Sequence, residues 1–210
     1  MRLGIYGGSF DPVHYGHLLL AECCREQCRL DEVWFVPANV PPHKRQGTCA
    51  PARQRVEMLQ LAIGGHPSFR VCTREIERDG ISYTAETLAS LRTERPEDDF
   101  FLLLGADALA DFVNWREPRR IAELATLVSV PRTGVTPPDF ARLAATIGEP
   151  ACADMLRHQV EMPRVDLSSS DLRTRSAAQR SIRYRTPRAV ERFIESGELY
   201  RWPGNERAPT

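Results

Sequence analysis

Two histidines, His14 and His17, stand three positions apart behind a glycine pair, in the stretch Gly7-Gly8-Ser9-Phe10-Asp11-Pro12-Val13-His14-Tyr15-Gly16-His17. One helical turn separates the imidazoles, so both can face one anion and donate N–H groups to phosphoryl oxygens on which charge builds. Glycines ahead of them let a backbone approach a phosphate where a Cβ would obstruct. A helix beginning near Gly16 would turn its free N–H groups and its positive dipole end to the same place. A tight turn with two surface histidines is the plainer reading, but it leaves the glycines, the proline and the H-x-x-H spacing without a common cause. The chain has neither a G-x-x-x-x-G-K-[ST] loop nor a G-x-G-x-x-G fingerprint, which argues against a P-loop kinase or NTPase and against a dehydrogenase.

A second polar group lies far along the chain, at Leu167-Ser168-Ser169-Ser170-Asp171-Leu172-Arg173. Serines opening a helix supply hydroxyl and backbone donors at its N-terminus. Arg173, three residues past Ser170, lies one turn on and could offer its guanidinium fork to a phosphate. Alone, this stretch is an ordinary helix cap. Arg175, Arg180, Arg183 and Arg185 follow and read as a solvated face.

These residues need a scaffold, and the patterning supplies one. Short apolar strands are expected at Leu3–Tyr6, Val33–Pro37, Arg70–Ile76, Phe100–Leu104 and Ala125–Val130. Helices are expected at Leu18–Ala21, at Arg53–Ile63 with Val56, Leu59, Leu61 and Ala62 on its apolar side, and at Thr84–Leu91. A final helix should be capped by Thr186, with Pro187 in its first turn and Gly197 at its end. Alternation of this kind implies an α/β fold, a Rossmann-like doubly wound parallel sheet, with a small helical C-terminal part. Ligands of such sheets bind beyond the carboxyl ends of the strands, here after Tyr6, Val36 and Leu104 and near the segment at Val165. One domain is expected over residues 1–203 and a flexible tail over 204–210.

Bulk properties narrow the function. The chain has 210 residues, 42% hydrophobic and 27% charged, with 28 basic and 28 acidic side chains and zero formal net charge. That balance argues against a nucleic-acid or membrane-surface binder. The six cysteines form no C-x-x-C pair, so they read as structural thiols and no resident metal site is expected. A strand at the very start and no apolar run of spanning length make the cytoplasm the expected location. The oligomeric state is left open, a homo-oligomer included.

The first stretch resembles the G-[ST]-F-D-P-x-H-x-G-H signature of the nucleotidyltransferases related to class I aminoacyl-tRNA synthetases, which cleave ATP or CTP between the α and β phosphates. The second resembles that family's I-S-[SA]-T-x-x-R, with Leu167 in place of Ile and Ser170 in place of Thr. Pro37-Ala38-Asn39-Val40-Pro41-Pro42-His43-Lys44 resembles the P-x-x-x-P-P-H-[KR] loop of its nicotinate-mononucleotide adenylyltransferases. Ser82-Tyr83-Thr84, followed by Thr87-Leu88, resembles their S-Y-T-x-x-T-L. Gly105-Ala106-Asp107 followed by Trp115 resembles their G-x-D and Trp.

The resemblance implies catalytic roles for His14, His17 and Arg173. It implies an ATP site of Gly7, Gly8, Ser9, Phe10, His14, His17, Gly105, Asp107, Ser169, Ser170 and Arg173. The implied acceptor site is Asn39, His43, Lys44, Tyr83, Thr84, Asp107 and Trp115, with Arg132 as a further phosphate candidate. The expected partners are ATP, carried with Mg²⁺, and nicotinate mononucleotide. Lys44 could pair with the acceptor's phosphate, and Trp115 could stack on its cationic pyridine ring. Free N–H groups where Thr84 opens a helix would favour a carboxylate over an amide. Two rivals remain: another enzyme of the family, such as a phosphopantetheine adenylyltransferase, and a non-catalytic nucleotide-sensing or RNA-binding protein on the same fold.

Overall fold

The computed structural model describes residues 1–42, 48–78, 80–131 and 138–201. In chain order the elements are β1 (Arg2–Gly8), α1 (Tyr15–Gln27), β2 (Glu32–Pro37), α2 (Ala52–Ile63), β3 (Phe69–Val71), α3 (Arg74–Glu77) and α4 (Thr84–Glu94). There follow β4 (Asp99–Gly105), α5 (Ala106–Asp111), a 3₁₀ turn (Phe112–Asn114), α6 (Pro118–Leu124), β5 (Thr126–Val130), α7 (Phe140–Ile147) and α8 (Glu149–Arg157). Two C-terminal helices, α9 (Ser169–Ala177) and α10 (Arg188–Ser196), complete the order.

The five strands form one parallel sheet in the order β3-β2-β1-β4-β5. The chain winds outward from β1 to β3, then crosses back to lay β4 on the other side of β1. Strand order therefore reverses between β1 and β4, and a crevice opens beyond their carboxyl ends. The strands are buried on both faces, so side chains alternate between two cores. Tyr6, Val33, Phe35, Phe101, Leu103 and Val128 pack under α1, α2 and the C-terminal helices. Leu3, Ile5, Leu102, Leu104 and Leu127 pack under α4 and α6 to α8. The doubly wound fold and its helical C-terminal part are as the sequence implies.

Some local expectations are corrected. The third strand stops at Val71; residues expected to continue it close a turn of helix, with Ile76 and Glu77 N–H groups donating to the Thr73 carbonyl. That turn buries Glu75, which an extended strand would not do with the same neighbours. On α2 the buried stripe is Arg55, Met58, Leu59 and Ile63, whereas Leu61 is exposed. Thr186 does not cap the last helix: α10 starts after Pro187, and the buried Thr186 hydroxyl donates to the Val13 carbonyl at 2.8 Å. The segment at Val165 is irregular rather than a strand; the nearest pairing is a bridge between Ser129 and Gln159. The expected tail lies outside the described residues. None of the described helices is long and apolar enough to cross a membrane.

Candidate active site

Beyond β1 and β4 lies a cavity of about 1000 Å³. The turn from β1 to α1 forms one wall. Gly7 faces open space, since a Cβ there would meet nothing within 4 Å. Gly8 also lines the cavity, and a Cβ there would stand 3.0 Å from the Phe10 ring. Phe10 is buried with φ of 46°, a left-handed conformation that survives only where packing enforces it. Its ring meets those of Tyr6 at 5.4 Å, His17 at 5.2 Å and Phe35 at 5.7 Å.

His14 is the N-cap of α1, and His17 lies in the first turn, where the helix presents its N-terminal end to the cavity. The imidazoles stack with centroids 3.7 Å apart. The His14 backbone N–H donates to His17 Nδ1 at 3.2 Å. An acceptor at Nδ1 places the proton of the neutral ring on Nε2, free to donate to an anion. His17 is half-buried on the cavity wall. Desolvation, and secondarily the neighbouring His14, holds its pKa well below the ordinary 6.5.

The C-terminal part grips this turn. Ser169 Oγ donates to the Pro12 carbonyl at 2.9 Å. Arg173 donates through Nη1 to the Asp11 carbonyl at 2.7 Å and through Nη2 to Ser170 Oγ at 3.1 Å. Ser169 lines the cavity; Ser170 and Arg173 are not among its lining residues.

The opposite wall is the N-terminus of α4 and the start of α5. Tyr83, Thr84, Gly105, Asp107 and Trp115 all line it, with Ser9 and Phe10 across from them. Trp115 is half-buried against Phe112, ring centroids 5.2 Å apart. Asn39 does not line the wall; its backbone N–H donates to Ser82 Oγ at 2.8 Å and so ties the β2 loop to the Ser82-Tyr83-Thr84 segment. His43, Lys44 and Arg132 lie outside the described residues.

Residues 5–175 match the model of the cytidylyltransferase-like family. The chain belongs to that family. Among its cytidylyltransferase-like relatives, a Salinibacter ruber protein is 40% identical over 96% of this chain and 98% of its own length, and one from Thermus thermophilus is 44% identical over 96% and 100%. Both carry the name "Probable nicotinate-nucleotide adenylyltransferase". The fold is similar to that of the Plasmodium falciparum nicotinic acid mononucleotide adenylyltransferase complexed with NaAD, at a TM-score of 0.75 and 18% identity, covering 95% of this chain and 97% of that one.

Glu75 and Arg116 are among the lining residues to which the sequence gives no role. The buried Glu75 carboxylate accepts from Thr87 Oγ1 at 2.6 Å, and burial raises its pKa. Arg116 stands 4.4 Å over the Tyr83 ring and pairs with Glu86 at 3.1 Å. Glu75 was hidden because its segment reads as strand. Arg116 adjoins Trp115 in a polar stretch that gives no hint of which residue turns inward.

The His17 shift has a consequence for stability. In the unfolded chain the ring takes up its proton near pH 6.5, and in the folded protein only at a much lower pH. Stability that is complete above the unfolded value is lost as pH falls below it toward the folded one. Urea midpoints of the protein should fall between about pH 7 and about pH 5, and the fall should be shallower in His17→Gln. Identical pH slopes for the two proteins would show that His17 is not held neutral.

Proposed function

We propose that the protein is a nicotinate-nucleotide adenylyltransferase, transferring AMP from ATP to nicotinate mononucleotide and releasing pyrophosphate. The observation that carries this reading is one cavity with two unlike ends: a paired-imidazole helix N-terminus and, opposite it, the N-terminus of α4 beside Trp115. The names of full-length relatives support it.

A phosphate oxygen of the acceptor attacks the α-phosphorus in line. The new P–O bond forms as the bond to the β-phosphate oxygen breaks, and the electron pair leaves with pyrophosphate. A phosphate monoester is already a nucleophile at neutral pH, so the protein supplies position and charge stabilisation rather than a base. His17 donates from Nε2, with His14 stacked beside it, to oxygens of the α-phosphate. Ser169, Ser170 and Arg173 receive the leaving phosphates, as the resemblance of their segment implies. Mg²⁺ enters with the triphosphate of ATP as part of the substrate. We place the reaction in the cytoplasm, where its small water-soluble substrates are available.

At the other end, N–H groups opening α4 favour the nicotinate carboxylate. Arg116 adds positive charge there, and Glu75, pushed toward its neutral form by burial, repels a substrate carboxylate less than an ionised group would. In this reading Asp107 accepts from a ribose hydroxyl and Trp115 stacks on the pyridine ring.

The direct test is pyrophosphate release from Mg²⁺-ATP with nicotinate mononucleotide, nicotinamide mononucleotide or phosphopantetheine. The nicotinate form should exceed the nicotinamide form by about 10- to 100-fold in kcat/KM, or roughly 1.4–2.8 kcal/mol, and phosphopantetheine should give no release. Equal rates with both pyridine forms would remove the carboxylate argument. No release with any acceptor, in a folded protein that binds ATP, would overturn the enzyme reading. Within the same assay His17→Ala should lower kcat about 100-fold or more while the Kd for ATP changes only a few-fold. Equal losses in both would mean that His17 binds ATP without favouring the transition state.

A further inference from the structure

Arg55 is a fully buried charged side chain with no part in the chemistry above. Arg55 on α2 has 0% of its surface exposed. Its Nη1 donates to the Ser9 carbonyl at 2.8 Å, its Nη2 to the Asn39 carbonyl at 3.3 Å and its Nε to the Ala50 carbonyl at 3.3 Å. Ser9 belongs to the turn proposed for ATP. Asn39 belongs to the loop after β2 and, through Ser82, to the wall proposed for the acceptor. Asp11 ties the same two regions from the other direction: Oδ2 accepts from the Cys49 N–H at 2.8 Å, and Oδ1 accepts from the Ala50 N–H at 3.1 Å and from Tyr200 Oη at 2.8 Å. Burial depresses the Arg55 pKa, and Asp11 is the largest influence in the opposite direction. A buried charge is costly unless it is compensated and hydrogen-bonded. A hydrophobic side chain in the same stripe would leave those three carbonyls and the Asp11 carboxylate uncompensated, so the arginine is what holds the Ser9, Asn39 and Ala50 segments at a fixed spacing.

We infer that Arg55 and Asp11, closed by Tyr200, are positioning residues that set the distance between the ATP half and the acceptor half of the site. Neither touches substrate. Each half keeps its own binding groups when the tie is cut, but the attacking oxygen and the α-phosphorus no longer meet in line. A misplacement of about 1 Å costs on the order of 100-fold in rate. The inference rests on the proposed adenylyl transfer.

The test separates binding of each substrate from turnover. Wild type, Arg55→Gln, Arg55→Lys and Tyr200→Phe are compared for the Kd of a non-hydrolysable ATP analogue alone, the Kd of nicotinate mononucleotide alone, and kcat for pyrophosphate release. For Arg55→Gln kcat should fall about 10- to 100-fold while each Kd changes by less than about threefold, with partial recovery in Arg55→Lys. Tyr200→Phe loses one hydroxyl from the same carboxylate and should lower kcat several-fold with both Kd values kept; it carries the test if the Arg55 variants do not fold. A lowered melting temperature with unchanged kcat would overturn the inference, since Arg55 would then be structural. Loss of either Kd in proportion to kcat/KM would also overturn it. A wild-type protein without turnover would instead remove the adenylyl-transfer reading, and this inference with it.

Discussion

Four carbonyls of the turn between β1 and α1 are held by side chains from elsewhere in the chain. Arg55 holds Ser9, Arg173 holds Asp11, Ser169 holds Pro12 and Thr186 holds Val13. A turn that contains a left-handed phenylalanine and two stacked imidazoles would not keep that shape by local preference. With its carbonyls held from behind, the turn keeps Gly7 to Phe10, His14 and His17 on the cavity wall at the N-terminal end of α1, which suits a polyanion. The same constraint explains why the C-terminal helices belong to the core under β1 and β4: Leu172, Val190 and Ile194 anchor the segments that carry Ser169, Arg173 and Thr186.

The sheet supplies the second requirement, a place for two ligands end to end. Reversal of strand order between β1 and β4 opens the crevice, and the helices that flank it offer one N-terminus from each face of the sheet, α1 and α4. Two helix N-termini converging on one cavity fit a reaction in which a triphosphate and a phosphate monoester, both anionic, have to be brought together. Arg55 and Asp11 tie the turn before α1 to the loop after β2.

The H-x-x-H turn, the serine cluster and the Ser82-Tyr83-Thr84 segment were legible in the sequence because each needs a run of unusual residues at fixed spacing. The parallel sheet was legible because strands such as Phe100–Leu104 are continuous apolar runs. What was not legible depended on long-range partners. Thr186 has the ordinary look of a cap, and only the fold shows its hydroxyl on Val13. Arg55 did leave a trace: it shares a 3.6-residue stripe with Met58, Leu59 and Ile63, and a lone charge on an otherwise apolar helix face marks a buried hydrogen-bonding role. Leu61 was placed on the apolar side by composition, although the stripe passes it by.

The central claim is that the two imidazoles at the start of α1 receive the phosphates of ATP. Nitrogen NMR of histidine-labelled protein, titrated with a non-hydrolysable ATP analogue, reads this at the atoms concerned. The ring resonances of His14 and His17 should move together on binding, and the His17 pKa should rise toward its ordinary value as a bound polyanion offsets the cost of charging a desolvated ring. Binding that shifts other residues and leaves both imidazole spectra and their titration unchanged would place the triphosphate elsewhere.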